Sequence, residues 1–282
     1  MMSKIKKAIN ALLKAKEYYK YGGSVEAKIC YVDNSNVLHG KNILITGGTS
    51  GIGLAIAKKC LLGGANVVIT GRNKEKLDNI LSEINDSRCK GLLWDVSIIS
   101  EVKNKIGQCE SLFGGYIDVL VNNAGIAPSK FWGNVDEEEW DNIYSTNLKG
   151  MFFLSQEIVK RWNNLDFEGY KKIINISSQG GYVGATYPYR MVKWDIRGLT
   201  EGLAKELIGR NIIVNGIAPG VVKTSMQQFS LEQGDNLFTT QNPLRRVCLP
   251  EEIAELANFL IGDSSNFIIG QTIKCDGGYT LK

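Results

Sequence analysis

Histidine is nearly absent from this 282-residue chain: His39 is the only one. It stands just ahead of the first core strand and outside any motif. If the chain is an enzyme, its proton-transfer group has to be another side chain. Proline is scarce too, at 5 residues against 31 glycines. That balance suits tight turns between regular elements, not a disordered chain. The six cysteines, Cys30, Cys60, Cys89, Cys109, Cys248 and Cys275, include no C-x-x-C pair. The sequence therefore offers no zinc or redox motif, and no metal site is expected. No run of about 18 apolar residues is present to span a bilayer. No apolar run follows the early lysines as a secretory signal requires. These absences indicate a reduced, cytoplasmic protein.

Charge is small and unevenly placed. The net charge is +4, and residues 1–22 carry six lysines against Glu17 alone, so the rest of the chain is close to neutral. The main body gives no basis for nucleic-acid binding. Within residues 4–20, Ile5, Ala8, Ile9, Leu12 and Leu13 recur at helical spacing among lysines, which predicts a basic amphipathic helix. Such a helix can make weak contact with an anionic membrane surface. Packing on its own domain or on a neighbouring subunit is the favoured alternative. A short strand-like piece, Ala27 to Val32, follows. Residues 1–40 thus form an extension, and residues 41–282 the main domain.

From Asn42 onward short apolar runs alternate with helical stretches. The runs are Ile43–Ile45, Val67–Ile69, Leu92–Trp94, Val119–Val121, Ile173–Ile176 and Ile212–Val214, and a last strand is expected near Thr272–Lys274. Helical patterns fall at 54–62, 74–84, 98–112, 136–161, 189–208 and 250–261. Wholly apolar strands alternating with helices predict an α/β fold: a doubly wound, seven-stranded parallel sheet of Rossmann type. Ligands of such sheets bind beyond the carboxyl ends of the strands. The long unassigned stretch 222–242 is a candidate substrate lid.

The turn after the first strand reads Thr46-Gly47-Gly48-Thr49-Ser50-Gly51-Ile52-Gly53. Glycines let a backbone approach a pyrophosphate, and the helix that opens here offers free N–H groups. Gly47, Thr49, Ser50, Gly51, Ile52 and Gly53 are the candidate phosphate-binding residues. The second strand ends in Thr70-Gly71-Arg72-Asn73, with no carboxylate to take a ribose 2′-hydroxyl. Arg72 instead offers a fork for a 2′-phosphate, with Asn73 beside it, which favours NADP over NAD.

Pro188-Tyr189-Arg190-Met191-Val192-Lys193 opens a helix, and residues four apart share a helical face. A free tyrosine has a pKa near ~10, and a nearby ammonium lowers it. Tyr189 and Lys193 can therefore replace the missing histidine. Tyr187 is a rival phenol, but Met191 stands where its lysine would be.

Taken in order, the glycine turn, Asn122-Asn123-Ala124-Gly125, Ile176-Ser177-Ser178, Tyr189…Lys193 and Pro219-Gly220 closely resemble the short-chain dehydrogenase/reductase superfamily in its compact form. The resemblance spans about residues 40 to 280. It implies hydride transfer between NADP(H), less favourably NAD, and a small-molecule carbonyl or secondary alcohol. It further implies that Ser178 polarises the substrate oxygen and that Tyr189 is the general acid/base. Lys193 would lower the Tyr189 pKa and hold the nicotinamide ribose. Asn147 would position a water of the proton relay. Asp95 and Val96 would flank the adenine, and Asn122, Ala124 and Gly125 would line the cofactor. Pro219, Gly220, Val222 and Thr224 would grip the carboxamide. A homodimer or homotetramer is the default assembly.

Two departures stand out. Ser178 and Tyr189 are closer than is usual in the family, which implies a trimmed loop. Trp194 and Asp195 follow Lys193 where small residues usually pack a subunit interface, which weakens the expectation of the usual tetramer contact. Two other readings stay open: a cofactor-binding regulatory protein without catalysis, and a sugar-nucleotide enzyme of the extended branch. Against the last, Ser50 occupies the inner glycine position of its turn. Phe131, Trp132, Tyr182, Met226, Phe229 and Phe238 are candidate pocket residues. They would suit a ketoacyl chain, a keto sugar or a polyol.

Overall fold

The computed structural model describes residues 36–224, 243–244 and 246–281, together with Ile9, Leu12, Leu13 and Lys16. Those four are helical, and Ile9, Leu12 and Leu13 are exposed. The strand-like 27–32 segment and most of the 222–242 stretch, with Met226, Phe229 and Phe238, lie outside the described residues.

Seven strands form one parallel sheet. They are β1 (Asn42–Ile45), β2 (Asn66–Gly71), β3 (Cys89–Leu93), β4 (Val119–Asn122), β5 (Lys171–Ile176), β6 (Ile212–Pro219) and β7 (Thr272–Cys275), in the order β3-β2-β1-β4-β5-β6-β7. All six pairings are parallel. The order reverses between β1 and β4, where a doubly wound sheet opens its ligand crevice.

Side chains alternate between the two faces with the strand period of two. Ile43, Ile45, Val67, Ile69, Val119 and Val121 pack toward α1 (Gly51–Leu62), α2 (Lys74–Ile84) and α7 (Pro250–Ile261). Leu44, Val68, Leu120, Ile173 and Val214 pack toward α3 (Val102–Phe113), α5 (Gly150–Trp162) and α6 (Pro188–Leu207). Complete burial of such a side chain contributes about 1.5–3 kcal/mol. That gain, repeated over both faces, explains why apolar residues dominate these strands.

Helix starts carry the expected chemistry. Asn73 caps α2 by accepting from the Lys76 N–H at 2.8 Å. Asp136 caps α4 (Glu137–Tyr144) by accepting from Glu139. Proline opens both α6 and α7, where its missing N–H costs nothing.

The compact unit begins at Asn34, earlier than the expected boundary at 41. Leu38 is the reason: it is fully buried against α1 and α7. Strand β3 begins three residues before the apolar run Leu92–Trp94, because edge strands need less apolar sequence. The expected single helix 136–161 is broken. A π-helical turn, Ser145–Lys149, separates α4 from α5, and π-bulges of this kind commonly sit at functional sites.

Candidate active site

A cleft of about 610 Å³ lies at the carboxyl ends of β1, β2, β4, β5 and β6. Its long wall is the glycine turn. Gly47 has φ 66°, and a Cβ there would stand 2.9 Å from the Ala124 Cα. A Cβ on Gly53 would stand 2.4 Å from the Asn123 amide nitrogen. The first position therefore demands glycine for its conformation and the second for close packing. The turn is stapled to the end of β4: the Thr46 hydroxyl accepts from the Asn123 and Ala124 N–H groups, both at 3.0 Å.

The first N–H groups of α1 have no intrahelical partner, and the Ser50 side chain caps none of them. Ser50, Gly51 and Ile52 line the cleft. This is a helix N-terminus built for a phosphate. At the β2 end, Arg72, Asn73 and Lys76 line the same cleft. The Arg72 guanidinium lies 3.8 Å from the Asp95 carboxylate and is largely exposed, so the pair is weak. Asp95 spends its other oxygen on the Ser97 N–H and hydroxyl. The volume, the unsatisfied helix end and the cationic rim fit a nicotinamide dinucleotide. Thr49 to Ile52 would hold its pyrophosphate.

At the closed end, Ser178, Tyr189 and Lys193 converge. Lys193 Nζ sits 5.4 Å from the centre of the Tyr189 ring and donates to the Ile176 carbonyl at 3.0 Å. Ser178 accepts from the Gly180 N–H at 3.1 Å. Ser177 donates to the Lys193 carbonyl at 2.8 Å, a structural bond that separates the two serines.

Burial raises the Tyr189 pKa above its ordinary value, and the Ser178 hydroxyl opposes the rise. Burial alone lowers Lys193 to about 8. Desolvation disfavours the charged form of each group, the phenolate of Tyr189 and the ammonium of Lys193.

Most of the expected cofactor residues line the cleft: Gly47, Thr49, Ser50, Gly51, Ile52, Arg72, Asn73, Asp95, Val96, Ala124, Gly125, Pro219, Gly220, Val222 and Thr224. Gly53 does not, since it serves the packing of α1 on Asn123. Asn122 does not either. It is 2% exposed and donates to Ser155 at 3.0 Å and Asn175 at 2.9 Å, on the α5 side of the sheet. Asn123 lines the cleft instead. Strand alternation carried the signal, because residue 122 must share the face of Leu120. Asn147 lies behind the wall. Its amide accepts from the Ile126 N–H at 2.8 Å and donates to the Ile126 carbonyl at 3.0 Å, so the π-turn clamps the backbone entering the cleft. Lys76 was missed in the sequence; its signal is its place one turn into the helix that Asn73 caps.

The trimmed loop before Tyr189 is pinned by the unusual residues near Lys193. Trp194 donates to the Val183 carbonyl at 2.8 Å, and Arg197 stacks on Tyr182 with its guanidinium 3.6 Å from the ring centre. Tyr182 in turn donates to the Thr272 carbonyl. Tyr187 turns toward Phe131, ring centres 5.0 Å apart, and is absent from the cleft lining. Phe131 and Trp132 are exposed. No helix among the described residues is long and apolar enough to cross a membrane, and among them no cluster could hold a metal ion.

Comparison with known proteins agrees with this geometry. The profile of a family described as enoyl-(acyl carrier protein) reductase matches residues 47–280. The chain is 35% identical over 246 residues to a 3-oxoacyl-[acyl-carrier-protein] reductase of Aquifex aeolicus, covering 86% of this chain and 98% of that protein. It is 35% identical over 250 residues to a tropinone reductase homolog of Arabidopsis thaliana, covering 86% and 94%. The crystal structure of a 3-ketoacyl-(acyl-carrier-protein) reductase from Brucella melitensis complexed with NADH superposes with a TM-score of 0.78 at 29% identity, over 86% of this chain and 100% of that one.

Proposed function

The chain belongs to the short-chain dehydrogenase/reductase superfamily and is an NAD(P)-dependent oxidoreductase, and from that premise we propose that it reduces the keto group of a 3-oxoacyl thioester with NADPH. One observation carries the reading. The half-buried Tyr189 phenol, the Ser178 hydroxyl and the Lys193 ammonium line one dinucleotide-sized cleft together.

A bound nicotinamide dinucleotide supplies the hydride. Ser178 donates a hydrogen bond to the substrate carbonyl oxygen and orients it toward Tyr189. Tyr189 gives its proton to that oxygen as negative charge develops there, a contribution of about 10²–10⁴ in rate for a well-placed acid. Lys193 faces the phenolate that results and holds the nicotinamide ribose. Asn147 keeps the Ile126 backbone in place. Arg72 supports NADPH, with Lys76 as a second cation for the 2′-phosphate. The 3-oxoacyl class rests on the names of the relatives.

The assay is NADPH consumption with an acetoacetyl thioester, beside NADH and a panel of keto sugars and polyols. Turnover of the thioester with NADPH at least about tenfold above NADH, a difference of about 1.4 kcal/mol, is expected. Turnover of a sugar or polyol but no thioester ends the substrate reading.

We also read the enzyme as a homo-oligomer. A groove of about 740 Å³ between α4, α5 and α6 combines apolar side chains, Tyr144, Leu148, Phe152, Phe153 and Leu199, with the charged Asp141, Lys149 and Asp195, a mixed face of the kind a second copy covers. Light scattering that returns a monomer ends that reading.

A further inference from the structure

Tyr189, Lys193 and Arg197 follow one another at four-residue steps along α6, so each neighbours the next on the helix surface. The first two line the cleft, and the third does not. Arg197 reaches instead for the short helical turn Gln179–Tyr182, which Ser178 caps. Its guanidinium donates to the Gly181 carbonyl. The same group lies over two aromatic rings, 3.6 Å from the centre of Tyr182 and 4.7 Å from that of Trp194.

The turn passes this hold on to Ser178. The Gly181 N–H donates to the Ser178 carbonyl at 2.9 Å, and the Gly180 N–H to the Ser178 hydroxyl at 3.1 Å. Gly181 rests directly on the helix, since a Cβ there would stand 2.4 Å from the Lys193 carbonyl oxygen. On the other side of Ser178, the Ser177 hydroxyl donates to that same carbonyl at 2.8 Å. The chain is therefore tied to α6 just before Ser178, by Ser177, and just after it, by Arg197.

We propose that Arg197 is a positioning residue for the reduction: by locking the turn after Ser178 onto α6, it sets the Ser178 hydroxyl against the Tyr189 phenol on the same helix. The proposal rests on the reading that Ser178 orients the substrate carbonyl. Ser178 and Tyr189 stand on different elements, joined by residues 179–188. A substrate oxygen oriented by one and protonated by the other meets both hydroxyls at about 2.5–3.0 Å. A misplacement of about 1 Å costs on the order of 10² in rate. A loop tied only at its ends does not hold that tolerance, and cross-bonds to the helix do. Arginine suits the task because a planar guanidinium stacks on a ring and donates in its own plane at once, which an ammonium cannot do.

The test is a kinetic cycle on the full chain with the acetoacetyl thioester and NADPH, using Arg197→Ala, Ser178→Ala and the double variant. Arg197→Ala should lower kcat at least about tenfold, a barrier increase of about 1.4 kcal/mol, while the KM for NADPH changes less than about twofold. In the Ser178→Ala background the same substitution should cost less than about twofold, because the hydroxyl it positions is already gone. Losses that multiply in the double variant would leave Arg197 a purely structural role and overturn the proposal. So would an Arg197→Ala enzyme that turns over as fast as the wild type. Arg197→Lys keeps the charge, loses the planar fork and covers the case of an alanine variant that does not fold. It should show the same pattern at about threefold. Ser178→Ala at the wild-type rate would break the reading of the serine beneath the proposal. A slow Ser178→Ala beside unaffected Arg197 variants breaks the proposal alone.

Discussion

Two buried lysines stand at opposite ends of β5, and they use their charge differently. Lys172, near the start of the strand, donates to the Leu260 and Gly262 carbonyls and the Ser265 hydroxyl at 3.2, 2.6 and 3.1 Å. It closes the C-terminal end of α7, where exposed carbonyls attract a cation. Lys193 reaches the carboxyl end of β5 from α6. Among the described residues it has one hydrogen bond, to Ile176, and the cleft lies on its other side. Burial lowers both to about 8. Burial and a shifted pKa therefore do not distinguish a working cation from a structural one. Donors left unspent toward a cavity do.

The sharpest test of the cleft end is Tyr189→Phe. Turnover should fall by about 10³ or more if proton transfer is lost, with NADPH affinity changed less than about twofold. Persistent turnover in steady-state assays would remove the phenol from its role. Next comes the direct contrast between the lysines. Lys193→Met should lower kcat/KM by about 10², while Lys172→Met should change it by no more than about threefold. Equal losses in the two folded variants would erase the distinction. In the wild type, reduction should slow above about pH 8 as Lys193 gives up its proton. Further out on the rim, Arg72→Ala should raise the KM for NADPH about tenfold and leave that for NADH unchanged, the value of one exposed charge-assisted contact.

The smallest effect is on stability, and it isolates Lys172. Its folded pKa of about 8 lies below the ordinary lysine value. The unfolded chain thus binds more protons between the two, and stability rises with pH across that window. Lys172→Met should remove about 1 kcal/mol of the rise between pH 7 and 9, measured by urea unfolding. An unchanged slope would mean that Lys172 is not buried as a charge.

Much of the architecture was legible in the chain. The apolar runs located most of the sheet, because a strand covered on both faces buries nearly all its side chains; the polar residues it carries, such as Lys172 and Asn175, find buried hydrogen-bond partners. The glycine turn, Arg72, Ser178 and the Tyr189–Lys193 spacing were legible because backbone conformation and helical period are local properties. Other features were not local. The helix expected over 136–161 gave no sign of its π-turn, which exists so that Asn147 can clamp Ile126. Asn122 and Asn123 are adjacent in sequence and sit on opposite faces, so one joins a buried amide network and the other the cleft. Trp194 read as an obstacle at a subunit interface, and it holds the trimmed loop in place.

By itself the sequence determined the doubly wound sheet, the phosphate-binding turn and the chemical types of the catalytic group, since periodicity, glycine conformation and helical spacing act within a few residues. Only the tertiary structure decided how far burial shifts that group. Desolvation depends on everything packed around Tyr189 and Lys193, and it raises the pKa of the phenol and lowers that of the ammonium.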